Sequence, residues 1–125
     1  MTEPRRAKVL IADDDRLVRA LLTEMLVDLG HTVVEAENGQ QAVELCAREK
    51  PDVVILDFLM PKLSGLDALL AMRQKGHTMP AVMLTAISDS SLRAMEGFDA
   101  PDVILGKPFK RRHIEKALAK ALGTG

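Results

Sequence analysis

Four short apolar runs in this chain each deliver a polar group at their C-terminal end, and no other feature constrains the fold as tightly. Val9-Leu10-Ile11-Ala12 runs into Asp13-Asp14-Asp15, and Val53-Val54-Ile55-Leu56 ends on Asp57. Ala81-Val82-Met83-Leu84 ends on Thr85-Ala86, and Val103-Ile104-Leu105-Gly106 ends on Lys107-Pro108. With a further run near 32–36, five apolar stretches (8–12, 32–36, 53–57, 81–85 and 103–106) alternate with helix-period segments. That alternation predicts βα repetition around a parallel sheet with helices on both faces. In an open parallel sheet the C-terminal strand ends share one edge, beside the switch point where ligands bind. Three carboxylates, one hydroxyl and one ammonium gathered there suit a divalent cation and a phosphoryl group.

The intervening segments read as helices with one apolar stripe each. Val18, Leu21, Leu22, Met25, Leu26 and Leu29 mark the first, and Gly30 ends it. Asn38-Gly39 opens the second, with Ala42, Val43 and Cys46 facing inward; Ser64-Gly65 precedes the third, with Leu66, Leu69, Leu70 and Met72. A short fourth helix is expected after Ser88-Asp89, carrying Leu92 and Met95 and bounded by Gly97 and Pro101. The fifth uses Ile114, Ala117, Leu118, Ala121 and Leu122. A chain of 125 residues fits one domain, 1–125, with a core of about 8–122 and short flexible ends. It stops three residues after the last helix, so no output domain is expected.

Composition narrows the class of partner. The net charge of −1 with interspersed signs offers no footprint for nucleic acid, and Lys110-Arg111-Arg112 reads as a solvated helix start. No apolar stretch approaches a membrane span, and Met1-Thr2-Glu3-Pro4-Arg5-Arg6 lacks a secretory core. Cys46 is the single cysteine, which excludes an intrachain disulfide and suits a core position. A cytoplasmic module is expected. His31, His77 and His113 show no metal-ligand spacing and receive no role; the seven Met residues read as core filler.

The chain resembles the receiver domain of two-component response regulators, of the stand-alone chemotaxis-regulator kind. The resemblance rests on the runs into Asp13-Asp14-Asp15 and Asp57, on Gly30–Gly39, on Met60-Pro61 and Ser64-Gly65, and on Thr85-Ala86 and Lys107-Pro108-Phe109. It covers roughly Lys8 to Leu122 and implies a flavodoxin-like, doubly wound α/β sheet of order 2-1-3-4-5. It places the phosphoacceptor at Asp57, with Thr85 and Lys107 contacting the phosphoryl group. Mg²⁺ (or Mn²⁺) is expected on Asp13, Asp14, Asp57 and the backbone carbonyl of Leu59. A cis Lys107–Pro108 bond is implied too. Asp15 falls where the family tolerates many residues and reads as a helix N-cap.

The implied function is a phosphorylation-controlled signalling module. It takes a phosphoryl group from a histidine kinase or phosphotransfer protein and switches a protein-binding face near the fourth helix, fifth strand and fifth helix. It is not an enzyme beyond its own phosphorylation and dephosphorylation, and its downstream target is unknown. Alternatives are a receiver piece of a hybrid kinase or larger regulator, and a small aspartyl-phosphate hydrolase. Against the hydrolase, no second acid stands two residues after Asp57; against a flavodoxin-like cofactor binder, the acids after the first strand would repel a flavin phosphate. The chain departs from the family pattern at Ile104, where several receivers carry an aromatic switch residue, and near Ala100-Pro101, where a glycine is common. Leu59 and Ile87 are apolar where many relatives are polar, so slow hydrolysis of the aspartyl phosphate is expected.

Overall fold

The computed structural model describes residues 6–86 and 101–123. The elements run β1 (Lys8–Ala12), α1 (Arg16–Asp28), β2 (Thr32–Ala36), α2 (Gly39–Glu49), β3 (Val53–Asp57), α3 (Gly65–Gln74), β4 (Ala81–Thr85), β5 (Val103–Gly106) and, as α4, Arg111–Leu122. Five parallel strands form one sheet of order β2-β1-β3-β4-β5, as the resemblance implied. The short helix expected after Ser88-Asp89, with Leu92, Met95 and Gly97, lies outside the described residues, as do Ile87 and Ala100.

The two-residue period of a strand divides the core. Leu10, Ala12, Val54, Leu56, Ala81 and Met83 face α2 and α3, where Ala42, Cys46, Ala68, Leu69 and Met72 meet them. Val9, Ile11, Val53, Ile55, Val82 and Leu84 face the other way, against Leu22 and Leu26 of α1 and Ile114, Ala117 and Leu118 of α4. β1, β3 and β4 are therefore covered on both faces, which is why they read as unbroken apolar runs. β2 and β5 form the edges and are only partly covered. Ile104, in the place of an aromatic, packs half-buried on the α2–α3 side.

Helix boundaries follow local chemistry. Asp15 caps α1 by accepting from the Leu17 and Val18 N–H groups, Asn38 caps α2 through Gln41 N–H, and Ser64 caps α3 through Asp67 N–H. α1 ends at Leu29, followed by Gly30 at φ +95°. Leu21 departs from its expected inward place and is 46% exposed. At about 100° per residue it lies roughly 120° around the helix from the midpoint of the buried Leu22 and Leu26, beyond the edge of the apolar stripe.

The amino edge of the sheet is closed by one device used twice. A Pro-Asp pair precedes both β3 and β5, each of which then opens on Val. Asp52 N–H donates to the Lys8 carbonyl (2.8 Å) while its carboxylate accepts from Lys8 N–H (2.8 Å). Asp102 treats Ala81 identically, at 2.9 and 2.8 Å. Before β2, His31 Nδ1 accepts from Ala7 N–H (3.1 Å) while Thr32 N–H donates to the Ala7 carbonyl (3.0 Å).

Candidate functional site

The opposite edge is built differently. Asp13 follows β1, Asp57 closes β3, Thr85 closes β4 and Lys107 follows β5, so the sheet order itself brings them together. One carboxylate oxygen from each of Asp13, Asp14 and Asp57 lies within 4.8 Å of the other two. Asp13 is 0% and Asp57 6% exposed, whereas Asp14 opens to solvent. Lys107 Nζ stands 3.0 Å from Asp13 Oδ2 and 3.0 Å from Asp57 Oδ1. Thr85 is buried, and its carbonyl accepts from Lys107 N–H at 2.8 Å, which ties the ends of β4 and β5. The Lys107–Pro108 bond is cis.

Backbone contacts hold the carboxylates in place. Asp13 N–H reaches the Ala36 carbonyl at 3.3 Å, and its Oδ1 accepts from Asp15 N–H at 2.9 Å. Beyond Asp57, Phe58 N–H donates to the Leu84 carbonyl and Gly65 N–H to the Phe58 carbonyl, both 2.8 Å. A Cβ on Gly65 would collide with the Asp57 carbonyl, so α3 can begin this close to Asp57 only on a glycine.

The charges are unequal. One ammonium serves two buried carboxylates, with a third beside them. Burial pushes the Asp57 carboxyl above its ordinary pKa, and the negative charges of Asp13 and Asp14 add to this; the Lys107 ammonium opposes it. For Lys107 burial favours loss of the proton, but its hydrogen bonds to Asp13 and Asp57 outweigh burial and hold its pKa above the ordinary value. An all-oxygen donor set with surplus negative charge fits a small hard dication better than a soft metal.

Every side chain singled out for the site within the described residues reaches this edge. Leu59 lies two residues beyond Asp57 and is 63% exposed; the role expected of it falls on its backbone carbonyl. The histidines stay away: His31 and His113 accept backbone N–H groups from Ala7 and Lys110. The lone cysteine is core, its Sγ 3.8 Å from Met79 Sδ, and burial raises its pKa. Arg111 of the basic cluster pairs with Asp28 at 3.3 Å on the surface. Arg19 escaped the sequence reading. Its Nη1 donates to the Asp13 carbonyl at 2.8 Å, a contact that no motif announces.

A doubly wound sheet with an acid cluster and a lysine at its carboxyl edge defines a phosphoryl-handling α/β class. Comparison sharpens this: the family model of the response regulator receiver domain matches residues 9–119, and the chain belongs to that family. It is 40% identical over 114 residues to the response regulator MprA of Mycolicibacterium vanbaalenii, covering 90% of this chain and 48% of that one. It is 38% identical over 117 residues to the probable transcriptional regulator ycf27 of Guillardia theta (94% of this chain, 46% of that one). The chain thus spans about half the length of these relatives.

Among solved structures, Vibrio cholerae chemotaxis protein CheY4 superposes with a TM-score of 0.85 at 30% identity, over 94% of this chain and 100% of that one. Thermotoga maritima TrrA, solved in complex with Mg²⁺ and BeF, gives 0.84 at 32% identity, over 92% and 98%. Receiver domains are the phosphoacceptor modules of two-component signalling rather than enzymes in the ordinary sense, and this chain is one of them. None of the described helices is long and apolar enough to cross a membrane.

Proposed function

We propose that residues of about 8–122 act as one receiver unit in which Asp57 accepts the phosphoryl group. Asp13, Asp14, Asp57 and the Leu59 carbonyl would hold Mg²⁺ or Mn²⁺. The observation that carries this reading is Lys107 Nζ, 3.0 Å from both Asp13 and Asp57, at an edge with three convergent carboxylates. The magnesium named with the TrrA complex supports the choice of cation. When bound, the cation supplies neutralising charge for the phosphoryl oxygens.

The residues themselves supply the rest. An Asp57 oxygen forms the new O–P bond as the donor's N–P or O–P bond breaks, and the leaving imidazole or carboxylate takes away the electron pair. Lys107 exchanges its Asp57 contact for a phosphoryl oxygen while keeping Asp13. Thr85 turns its hydroxyl toward the same group, and the change at the ends of β4 and β5 shifts the surface behind them. Donors are a sensor histidine kinase or a histidine phosphotransfer protein, and the reader is a protein rather than a nucleic acid or a membrane. The coverage of about half of MprA favours a second setting, in which the same unit serves as the receiver of a larger cytoplasmic regulator.

Intact-mass measurement after treatment with acetyl phosphate and Mg²⁺ tests the reading. One added phosphate on the wild type and none on Asp57→Asn is expected, with none on either when Mg²⁺ is chelated. A phosphorylated Asp57→Asn protein would move the acceptor elsewhere.

A further inference from the structure

We infer that Arg19 is a positioning residue for the cation site, holding the Asp13–Asp14 segment at the height where its carboxylates meet Asp57; this rests on the cation reading above. Asp13 lies one residue beyond β1; its N–H still reaches the Ala36 carbonyl at 3.3 Å, which leaves its own carbonyl to a donor from outside that pair. Arg19, one turn into α1, fills that gap: Nη1 donates to the Asp13 carbonyl at 2.8 Å. The guanidinium is itself fixed from the far side, with Nε 3.5 Å from Glu35 Oε1 and Nη2 3.8 Å from Glu37 Oε1. Its side chain is only 11% exposed, against 45% and 71% for the two glutamates. One planar fork therefore ties the end of β1, the start of α1 and the end of β2 together, and a fork suits this better than a point charge.

The location makes the proposal testable in sign. Arg19 places a positive charge beside a site for a dication, so removing it for electrostatic reasons alone would tighten cation binding. Glu35 and Glu37 offset that charge, which leaves the geometric contribution of the fork. Loss of an outer contact that orients ligands typically weakens metal binding about 10- to 100-fold. Positioning and charge thus predict opposite outcomes.

The experiment is an NMR titration of Mg²⁺ into wild type, Arg19→Met, Arg19→Lys and Asp14→Asn, with metal-free spectra and melts of each. Arg19→Met should raise the Mg²⁺ Kd about tenfold or more. Arg19→Lys, which can still donate to the Asp13 carbonyl, should recover part of the loss. Phosphorylation of Arg19→Met by acetyl phosphate should be slow at limiting Mg²⁺ and return toward the wild-type rate at saturation. An unchanged or lower Kd in Arg19→Met overturns the inference. So does weak binding in Arg19→Lys equal to that of Arg19→Met, or a phosphorylation defect that saturating Mg²⁺ leaves in place. Should Arg19→Met lose its folded metal-free spectrum, Arg19→Lys decides alone: a Kd equal to or below that of wild type overturns the proposal, and a raised Kd upholds it. If wild type binds no Mg²⁺, or Asp14→Asn binds it as wild type does, the cation reading itself fails.

Discussion

The two ends of one sheet use the same residue type to opposite effect. At the amino edge, Asp52 and Asp102 each face a neighbouring backbone N–H at 2.8 Å, so each carboxylate has a donor and closes a strand start. At the carboxyl edge, Asp13, Asp14 and Asp57 face one another, with Lys107 shared between two of them. An acid matched to a donor adds stability; acids crowded beyond their donors cost it until a cation or a proton arrives. The carboxyl edge is thus left under-compensated, as a site for a cation and a phosphoryl group would need, whereas Asp52 and Asp102 at the amino edge are each matched to a donor.

The largest effect that separates the two edges is the response to Mg²⁺. Wild type should gain about 2.7 kcal/mol of stability at a hundredfold excess over Kd, read as a rise in Tm. Asp52→Asn should gain as much, and the Asp13→Asn, Asp14→Asn double variant nothing. A double variant that still responds would detach the cation from this edge.

Next comes the loss of a latch. Asp102→Ala strands the part-buried Ala81 N–H and removes a partner of Arg73 at 3.7 Å, and should cost about 1–3 kcal/mol in urea unfolding. Asp52→Ala frees a solvent-exposed N–H that water can satisfy, so it should cost less. Equal costs would break the argument that desolvation sets the value of each latch.

Asp57→Asn probes the carboxyl edge in the same way with the opposite sign. Lys107 keeps Asp13 as its partner, so no ammonium is orphaned. Metal-free Asp57→Asn should melt no lower than wild type and gain up to about 1 kcal/mol. A clear loss would mean that the Lys107–Asp57 pair outweighs the crowding.

The smallest expected effect is on pH dependence. Burial lowers the His31 pKa, and protonation would remove its acceptor for Ala7 N–H. A His whose folded pKa lies below the unfolded value of about 6.5 contributes stability that is complete above that pH and fades as pH falls through the folded value. Wild type should therefore lose a few tenths of a kcal/mol more than His31→Gln between about pH 7 and 5.5, a difference that Tm against pH resolves. Asp57, with its raised pKa, works the other way: its share of stability is present in acid and fades as pH rises through the folded value. An identical pH slope in His31→Gln would remove His31 from the amino-edge device.

Much of this molecule was legible beforehand. The strand bounds follow the apolar runs, because strands buried on both faces tolerate little else. Asp15, Asn38 and Ser64 stand as helix caps because their short oxygens reach backbone N–H groups within three residues, an interaction local enough to read along the chain. Other features gave no such sign. Lys50 ends α2 in the left-handed region at φ 48°, where glycine would have been the natural signal. His113 reads as a surface histidine, yet it accepts Lys110 N–H at 2.9 Å and helps start α4.

What the sequence alone determined is the set of groups at each strand end, since an apolar run and its terminal polar residue are neighbours in the chain. The tertiary structure decided which of those groups share an ion and which share a backbone N–H. Lys107 meets Asp13 across 94 positions, and Asp102 meets Ala81 across 21. Both partnerships depend on the crossovers that put β1 beside β3 and β4 beside β5. Arg19 shows the same division: its place one turn into α1 is set locally, but its hold on the Asp13 carbonyl exists only because α1 folds back along β1 and β2.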